Sequence, residues 1–281
     1  MLNQRTQGIL LIFSAAFLFS TIGAVFKFLQ LPGTTVLFYR SIVAALFLLV
    51  ILKFVLKKPV YWPKSWVEWG VSFSYAGVCI CFILANQFTT AANAIFLQYI
   101  SPIIVFVLSV LFLRERIKVI NVLALVISMT GVALFFLEKG SIQEFWGNVL
   151  GISSGLLLGI YTTLLGYKKS DQGFYLIMWG IFLTALMVLP FVPQFTISGL
   201  QWGILLYLGC FQIALPNLLF NKALQKISAQ EVSLFALLEP VLNPIWAFFF
   251  VQERPSPYAI AGGILILGAL VTKILLDRKG S

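Results

Sequence analysis

The chain is predicted to be an all-α membrane protein of ten transmembrane helices in two inverted five-helix repeats, with both termini on the cytoplasmic side. Three observations predict this. Of its 281 residues, 60% are hydrophobic, 10% are charged and 27 are Phe, and mean hydropathy is +1.01. A soluble core of this length conceals far less apolar surface. Apolar runs of the length that crosses about 30 Å of hydrocarbon, roughly 17 to 25 residues, recur ten times along the chain. Finally, residues 85–116 recur as 223–254, 138 positions later, so that Ala85, Ala91, Pro102, Glu115 and Arg116 fall on Ala223, Ala229, Pro240, Glu253 and Arg254.

Taken in order, the first span covers 7–28. Its small-residue run Ser14-Ala15-Ala16 sits in the middle of the apolar stretch, which reads as a retained helix and not as a cleaved leader. Leu31-Pro32-Gly33 turns the chain into a second span at 34–55, which Lys58-Pro59 follows. The third, fourth and fifth spans are expected at 66–87, 92–113 and 119–138, the sixth and seventh at 145–166 and 172–191. Pro190 to Pro193 then leads to spans at 199–221 and 231–251, and Pro255-Ser256-Pro257 to the last at 257–276. Connections this short leave no room for a soluble domain. Backbone groups in hydrocarbon must satisfy one another within a segment, so long uninterrupted runs are helices.

Two units follow, 1–139 and 140–281. Five spans per unit is odd, so the second enters the membrane from the opposite side and the repeats are inverted about an axis in the membrane plane. Fifteen of the 19 basic residues then face the cytoplasm, among them Arg5, Lys53, Lys58, Arg114, Arg116, Lys168, Lys226 and Lys273. The net charge of +10 is therefore topological, and no nucleic-acid partner is expected. A multi-pass protein of the cytoplasmic membrane, with the lipid bilayer as its solvent, is the expected setting. Cys79, Cys81 and Cys210 all fall inside spans and read as packing residues, not a disulfide framework.

Polar residues in mid-membrane mark cavities, pathways or interhelical bonds. Glu239 lies about 12 Å into the ninth span at 1.5 Å per residue, where exposure to lipid would cost about 2.5 to 3.5 kcal/mol. At helical spacing it shares a face with Asn243 and Trp246, a stripe suited to an ammonium group beside an apolar body. The alternative reading makes Glu239 an acceptor for a neighbouring helix that anchors a bent gate. Tyr75, Cys79, Phe82 and Asn86 form one face of the third span, Gln98 and Ser101 lie in the fourth, Tyr161 in the sixth and Asn217 in the eighth. All are candidates for lining a substrate cavity. Pro102, Pro216, Pro240 and Pro244 each remove a helical hydrogen bond and form either hinges or static kinks. Arg40, inside the second span, is expected to snorkel to the headgroups, with an internal partner as the alternative. Trp62, Trp66, Trp69, Trp146 and Trp202 read as interfacial anchors, whereas Trp179 and Trp246 lie deeper.

Enzyme chemistry has little to work with. Gly151-Ile152-Ser153-Ser154-Gly155 matches a nucleophile-elbow pattern, but the chain contains no histidine. Zinc motifs and a phosphate loop are also lacking, so neither catalytic residues, metal nor cofactor are expected. The glycines are better placed for close helix packing.

Leu113-Arg114-Glu115-Arg116 and Val251-Gln252-Glu253-Arg254 close the fourth and ninth spans, and Tyr99-Ile100-Ser101-Pro102 and Leu237-Leu238-Glu239-Pro240-Val241 precede them by about a dozen residues. With ten spans in two halves, these pieces resemble the EamA-type family of the drug/metabolite transporter superfamily over essentially the whole chain. The resemblance implies an alternating-access carrier with a central cavity lined by the first, third, fourth, sixth, eighth and ninth helices. It further implies export of amino acids or other small metabolites, with uptake or exchange of nucleoside-like or cationic solutes as the alternative. Many members carry tryptophan in the first and sixth helices, where this chain has Phe17-Leu18-Phe19-Ser20 and Leu157-Leu158-Gly159-Ile160. Glu239 is the one obvious membrane-embedded group able to carry a proton, which leaves proton coupling, exchange and facilitated diffusion all open. A receptor built on the same fold would need an extramembrane output segment, which connections this short do not supply.

Overall fold

A computed structural model of the protein describes residues 3–22, 25, 29, 31–88, 91–134, 145–168, 173–193, 196–251 and 257–279, without the side chains of 91–93, 96, 243, 244, 247, 250, 251, 259 and 277–279. Among the described residues the chain is all-helical, with no strand. The helices are α1 Gln4–Phe19, α2 Gly33–Val50, α3 Trp66–Phe88, α4 Ala91–Gln98, α5 Ser101–Leu113, α6 Val119–Leu134 and α7 Phe145–Lys168. They continue with α8 Gly173–Val188, α9 Gly199–Tyr207, α10 Leu215–Leu224, α11 Ala229–Phe235, α12 Leu238–Val251 and α13 Pro257–Lys279. A π turn over Ile51–Val55 extends α2, and another over Leu208–Ala214 joins α9 to α10.

Five of these continuous segments are long and apolar enough to cross a membrane: Gly33–Val55, Trp66–Phe88, Phe145–Lys168, Gly173–Phe191 and Gly199–Leu224. Shorter apolar helices cover Ser101–Leu113, Val119–Leu134 and Ile260–Leu276. Large side chains such as Leu111, Val119, Phe211 and Phe249 point outward, while Tyr161, Phe174 and Phe235 are fully buried. Such an apolar exterior suits lipid and not water.

The expected fourth and ninth spans are not single helices. The first is broken into α4 and α5 at Tyr99-Ile100, the second into α11 and α12 at Ala236-Leu237. Both breaks stand just before a proline of the repeat, Pro102 and Pro240, and within one residue of the 138-residue offset. Proline supplies no N–H to the carbonyl four residues back, so Gln98 and Ala236 each lose a helical partner. The Ala236 carbonyl is taken instead by the Glu239 N–H at 3.0 Å.

Glycines of α7 receive the first break. A Cβ at Gly155 would lie 2.7 Å from the Gln98 carbonyl and 2.8 Å from that of Leu97, and one at Gly159 would lie 2.5 Å from Ile104 Cβ. The stripe Gly151, Gly155 and Gly159 therefore lets α7 lie directly on the α4–α5 junction. Beside it, Ser154 donates to the Val78 carbonyl at 3.1 Å and accepts from Gln98 Nε2 at 2.7 Å. The Gly-x-Ser-x-Gly sequence is thus used in packing: its central Ser153 donates to the Val149 carbonyl of its own helix at 2.8 Å, and the adjacent Ser154 bonds between helices.

Charged contacts cluster at one end of the bundle. Glu231, at the start of α11, pairs with Arg5 at 2.9 Å and Lys273 at 2.8 Å. Glu115, just beyond α5, accepts from the Ala229 and Gln230 N–H groups at 3.0 and 3.4 Å and so caps α11. Lys168 at the end of α7 pairs with Glu68 at the start of α3 at 2.8 Å. Gly166 of α7 approaches Leu113, Leu224 and Ala229. The starts of α1, α3 and α11 thereby meet the ends of α5, α7, α10 and α13.

Candidate functional site

Four elements converge on a buried polar chain. Tyr161 on α7 donates its hydroxyl to Asn217 Oδ1 on α10 at 3.2 Å, and Asn217 Nδ2 donates to the Tyr75 hydroxyl on α3 at 3.0 Å. The second proton of the amide goes to the Ile213 carbonyl one turn back, at 2.8 Å. That carbonyl lies in the π turn that precedes Pro216. A π turn followed by proline loosens the ladder, and Asn217 occupies the freed space. Asn217 is 1% exposed and Tyr161 2%, so each hydrogen bond here is made away from water.

Cys79, one turn beyond Tyr75, interacts with the Tyr75 and Thr184 side chains, which brings α8 into the cluster. Cys79 and Asn217 stand at the 138-residue offset, so repeat-equivalent positions supply facing polar groups. Aromatic rings flank the chain: Tyr75 meets Tyr161 edge to face at 5.2 Å, and Phe220 lies parallel to Tyr161 at 6.2 Å.

Arg40 belongs to the same cluster, contrary to the expectation that it snorkels. It is 4% exposed, and its guanidinium lies within electrostatic reach of Tyr75 and Cys79. The reason lies in the packing of α2: a Cβ at Gly209 would sit 2.9 Å from the Arg40 carbonyl, so the π turn lies close over this part of the helix and encloses it.

The other expected positions spread more widely. Glu239 lies in the first turn of α12, half-buried, with Tyr99 in its electrostatic environment. No hydrogen bond from a neighbouring helix to its carboxylate is made among the described residues, and the reading of Glu239 as such an acceptor finds no donor there. Trp246 donates to Ser20 Oγ at the C-terminal end of α1 at 2.8 Å and meets Phe17 edge to face at 5.2 Å. The side chains of Asn243 and Pro244 lie outside the described residues. Asn86 donates to the Phe82 carbonyl of its own helix at 2.8 Å, so the expected α3 face divides, with Tyr75 and Cys79 in the cluster and Asn86 turned back on α3. Gln98 is engaged by Ser154, and Ser101 is buried at the start of α5, where its carbonyl faces Gly159. Pro102 and Pro216 each sit in the first turn of a helix that follows a break or π turn, and Pro240 occupies the first turn of α12.

Trp179 is tied to a connection: it donates to the Tyr61 carbonyl at 2.8 Å and stacks on Trp62 at 4.1 Å. Its partners lie about 118 residues away in sequence, which no local pattern announces. Thr184, buried on α8, was equally unmarked by the sequence, being one hydroxyl in an otherwise apolar run.

The model of the EamA-like transporter family matches the chain twice, over residues 6–137 and 145–274. A pseudopaline exporter of Pseudomonas aeruginosa is 24% identical over 99% of both chains. An uncharacterized transporter of Archaeoglobus fulgidus is 28% identical over 68% of this chain and 69% of its own, and an uncharacterized transporter of Bacillus subtilis, YxxF, is 24% identical over 99% and 92%. One solved crystal structure superposes with a TM-score of 0.80 over 98% of both chains at 17% identity, a likeness of fold alone.

Proposed function

The chain belongs to the EamA-like transporter family and is an integral membrane transporter, and from that premise we propose that it exports small metabolites, amino acids or their relatives, by alternating access. In this reading the chain makes ten passes, with N- and C-termini inside, as two inverted units over 1–139 and 140–281. The Tyr75–Asn217–Tyr161 chain with Cys79 forms the solute site. Glu239, Asn243 and Trp246 on α12, with Gln98, Ser101, Phe82 and Asn86, line the route to it.

The observation that carries the proposal is the chain of buried hydrogen bonds among α3, α7 and α10, made deep in a bundle whose exterior is apolar. Polar groups at such depth are retained for a pathway or for packing, and here they come from both repeats. The proline breaks at Tyr99-Ile100 and Ala236-Leu237 support movement, because each gives its half a place to bend at the same offset. The proposed topology is supported by the meeting of Arg5, Lys168 and Lys273 with Glu68 and Glu231 at one end of the bundle, and of Lys226 with Gln4 and Gln7 there, where a cytoplasmic excess of basic residues belongs. Export as the direction draws on the pseudopaline exporter, which spans the same length.

A second reading, uptake or exchange of a cationic solute with Glu239 as its counter-charge or as a proton carrier, is favoured by one observation. The Glu239 carboxylate is half-buried and has no ion-pair partner among the described residues.

Solute counterflow in proteoliposomes tests both readings, run against amino acids, amines and nucleosides for the wild type and Glu239→Gln. Specific counterflow of amino acids in both proteins supports the first reading. Counterflow of cations that Glu239→Gln abolishes favours the second, and no counterflow of any solute contradicts the transporter mechanism proposed.

A further inference from the structure

We infer that Arg40 is an anion-binding residue of the solute site and holds a carboxylate group of the transported molecule, an assignment that rests on the site proposed above. The guanidinium is more than nine-tenths buried, and its Nε has no hydrogen-bond partner among the described residues. No described carboxylate neutralises it. Glu68 is held by Lys168 and the Lys64 N–H, Glu115 caps α11, and Glu231 is shared by Arg5 and Lys273. Glu239 has Tyr99 as its described electrostatic neighbour.

The groups within electrostatic reach of Arg40, the Tyr75 hydroxyl and the Cys79 thiol, are neutral in their ordinary protonation states. Withdrawing a cation from water without a counter-charge costs several kcal/mol. A bundle has no reason of packing to keep one there, since a long apolar side chain would fill the same volume. An intramembrane ionisable group with no counter-charge among the described residues marks a binding site.

The geometry also selects the partner. A guanidinium presents a planar fork of donors that a carboxylate accepts in two parallel bonds. One cation matches a monoanion. Arg5, Lys168, Lys226 and Lys273 are engaged by side chains at the charged end of the bundle, so a phosphomonoester dianion would keep an uncompensated charge. Beyond the fork, the Tyr75 hydroxyl leads through Asn217 to Tyr161 and Phe220, a polar edge backed by aromatic rings for the rest of the molecule. Gly209 lets the π turn approach the Arg40 carbonyl and Val43 closely, which holds this part of α2 against the bundle.

Binding can be read without transport, which separates this inference from the function proposed. The full-length protein in detergent is titrated by thermal unfolding with amino acids, their carboxamides, the corresponding decarboxylated amines, simple monocarboxylates and phosphomonoesters. The wild type is expected to gain stability from at least one carboxylate solute and not from its carboxamide. Arg40→Met is expected to weaken that binding by about tenfold or more, the loss of a charge-assisted bond of about 1.5 to 3 kcal/mol. Arg40→Lys, which keeps the charge but loses the fork, is expected to fall between, and it carries the test if the methionine variant does not fold. Stabilisation by no carboxylate, equal stabilisation by the carboxamide or the phosphomonoester, or unchanged carboxylate binding in a folded Arg40 variant would each overturn the assignment. Carboxylate binding that needs Arg40, together with no counterflow, would uphold it and sink the carrier mechanism alone.

Discussion

Asn217 on α10 donates its amide to the Tyr75 hydroxyl on α3 at 3.0 Å and thereby joins the two repeats through side chains at their centre. Because its oxygen also accepts from Tyr161, one residue satisfies two buried phenols. Replacing it with leucine keeps the branching of the side chain, strands the Tyr161 hydroxyl and leaves the Tyr75 hydroxyl with Cys79 alone among the described residues. Asn217→Leu is expected to lose about 1 to 3 kcal/mol of stability and to lower counterflow about tenfold or more, with Asn217→Gln retaining part of each. Full counterflow in the leucine variant, measured in proteoliposomes at matched protein content, would show the bond to be dispensable.

Close packing of α7 on the α4–α5 junction makes a sharp contrast between two glycines. At Gly155 a methyl group would strike two backbone carbonyls, which cannot turn aside, whereas at Gly203 nothing lies within 4 Å. Gly155→Ala is expected to cost about 1 to 3 kcal/mol, while Gly203→Ala is expected to be neutral or stabilising by up to about 1 kcal/mol, since alanine is the better helix former. Thermal unfolding of the two variants side by side tests this, and equal midpoints would contradict the packing.

At the charged end the two partners of Glu231 differ in burial. The Lys273 side chain is fully buried, that of Arg5 28% exposed. Removing the carboxylate in Glu231→Gln takes one counter-ion from a buried ammonium, and the expected loss is about 3 to 5 kcal/mol. Arg5→Gln should cost no more than about 1 kcal/mol, because water and salt already screen that pair. The unfolding midpoints should rank wild type, Arg5→Gln, then Glu231→Gln; the reverse order of the two variants would refute the assignment of the stronger pair.

The Glu-Arg ending of α5 has a specific task, since Glu115 caps the first two N–H groups of α11 across the repeats. Glu115→Ala is expected to cost about 1 kcal/mol and to quicken hydrogen exchange in α11 before the rest of the bundle. Uniform exchange in wild type and variant would count against the cap.

What was legible in the sequence followed from composition and from local rules. Apolar runs located the helices, and Pro102 and Pro240 marked where the fourth and ninth would bend, although a clean break into two helices each was not expected. Tyr75, Cys79, Tyr161 and Asn217 stood out as polar residues in apolar runs, and the structure brings them together. Arg40 was visible but misread. In a helix such as α2, apolar nearly all round, no polar face tells which side meets lipid, so snorkelling and burial look alike until the π turn at Gly209 is placed over it. The Trp179 contact with Tyr61 and the Trp246 contact with Ser20 join residues far apart in sequence, and side-chain periodicity carries no information about such pairs.

Protection of Cys79 from alkylation by a bound solute reads out the proposed site, because this half-buried thiol interacts with Tyr75 and lies within electrostatic reach of Arg40. With Cys81 and Cys210 replaced by alanine, the rate of Cys79 alkylation by a small uncharged reagent is measured in proteoliposomes with and without a solute that supports counterflow. Saturating solute is expected to slow alkylation several-fold, and an untransported analogue is not. Equal rates in the presence and absence of a transported solute would place the solute elsewhere and contradict the site.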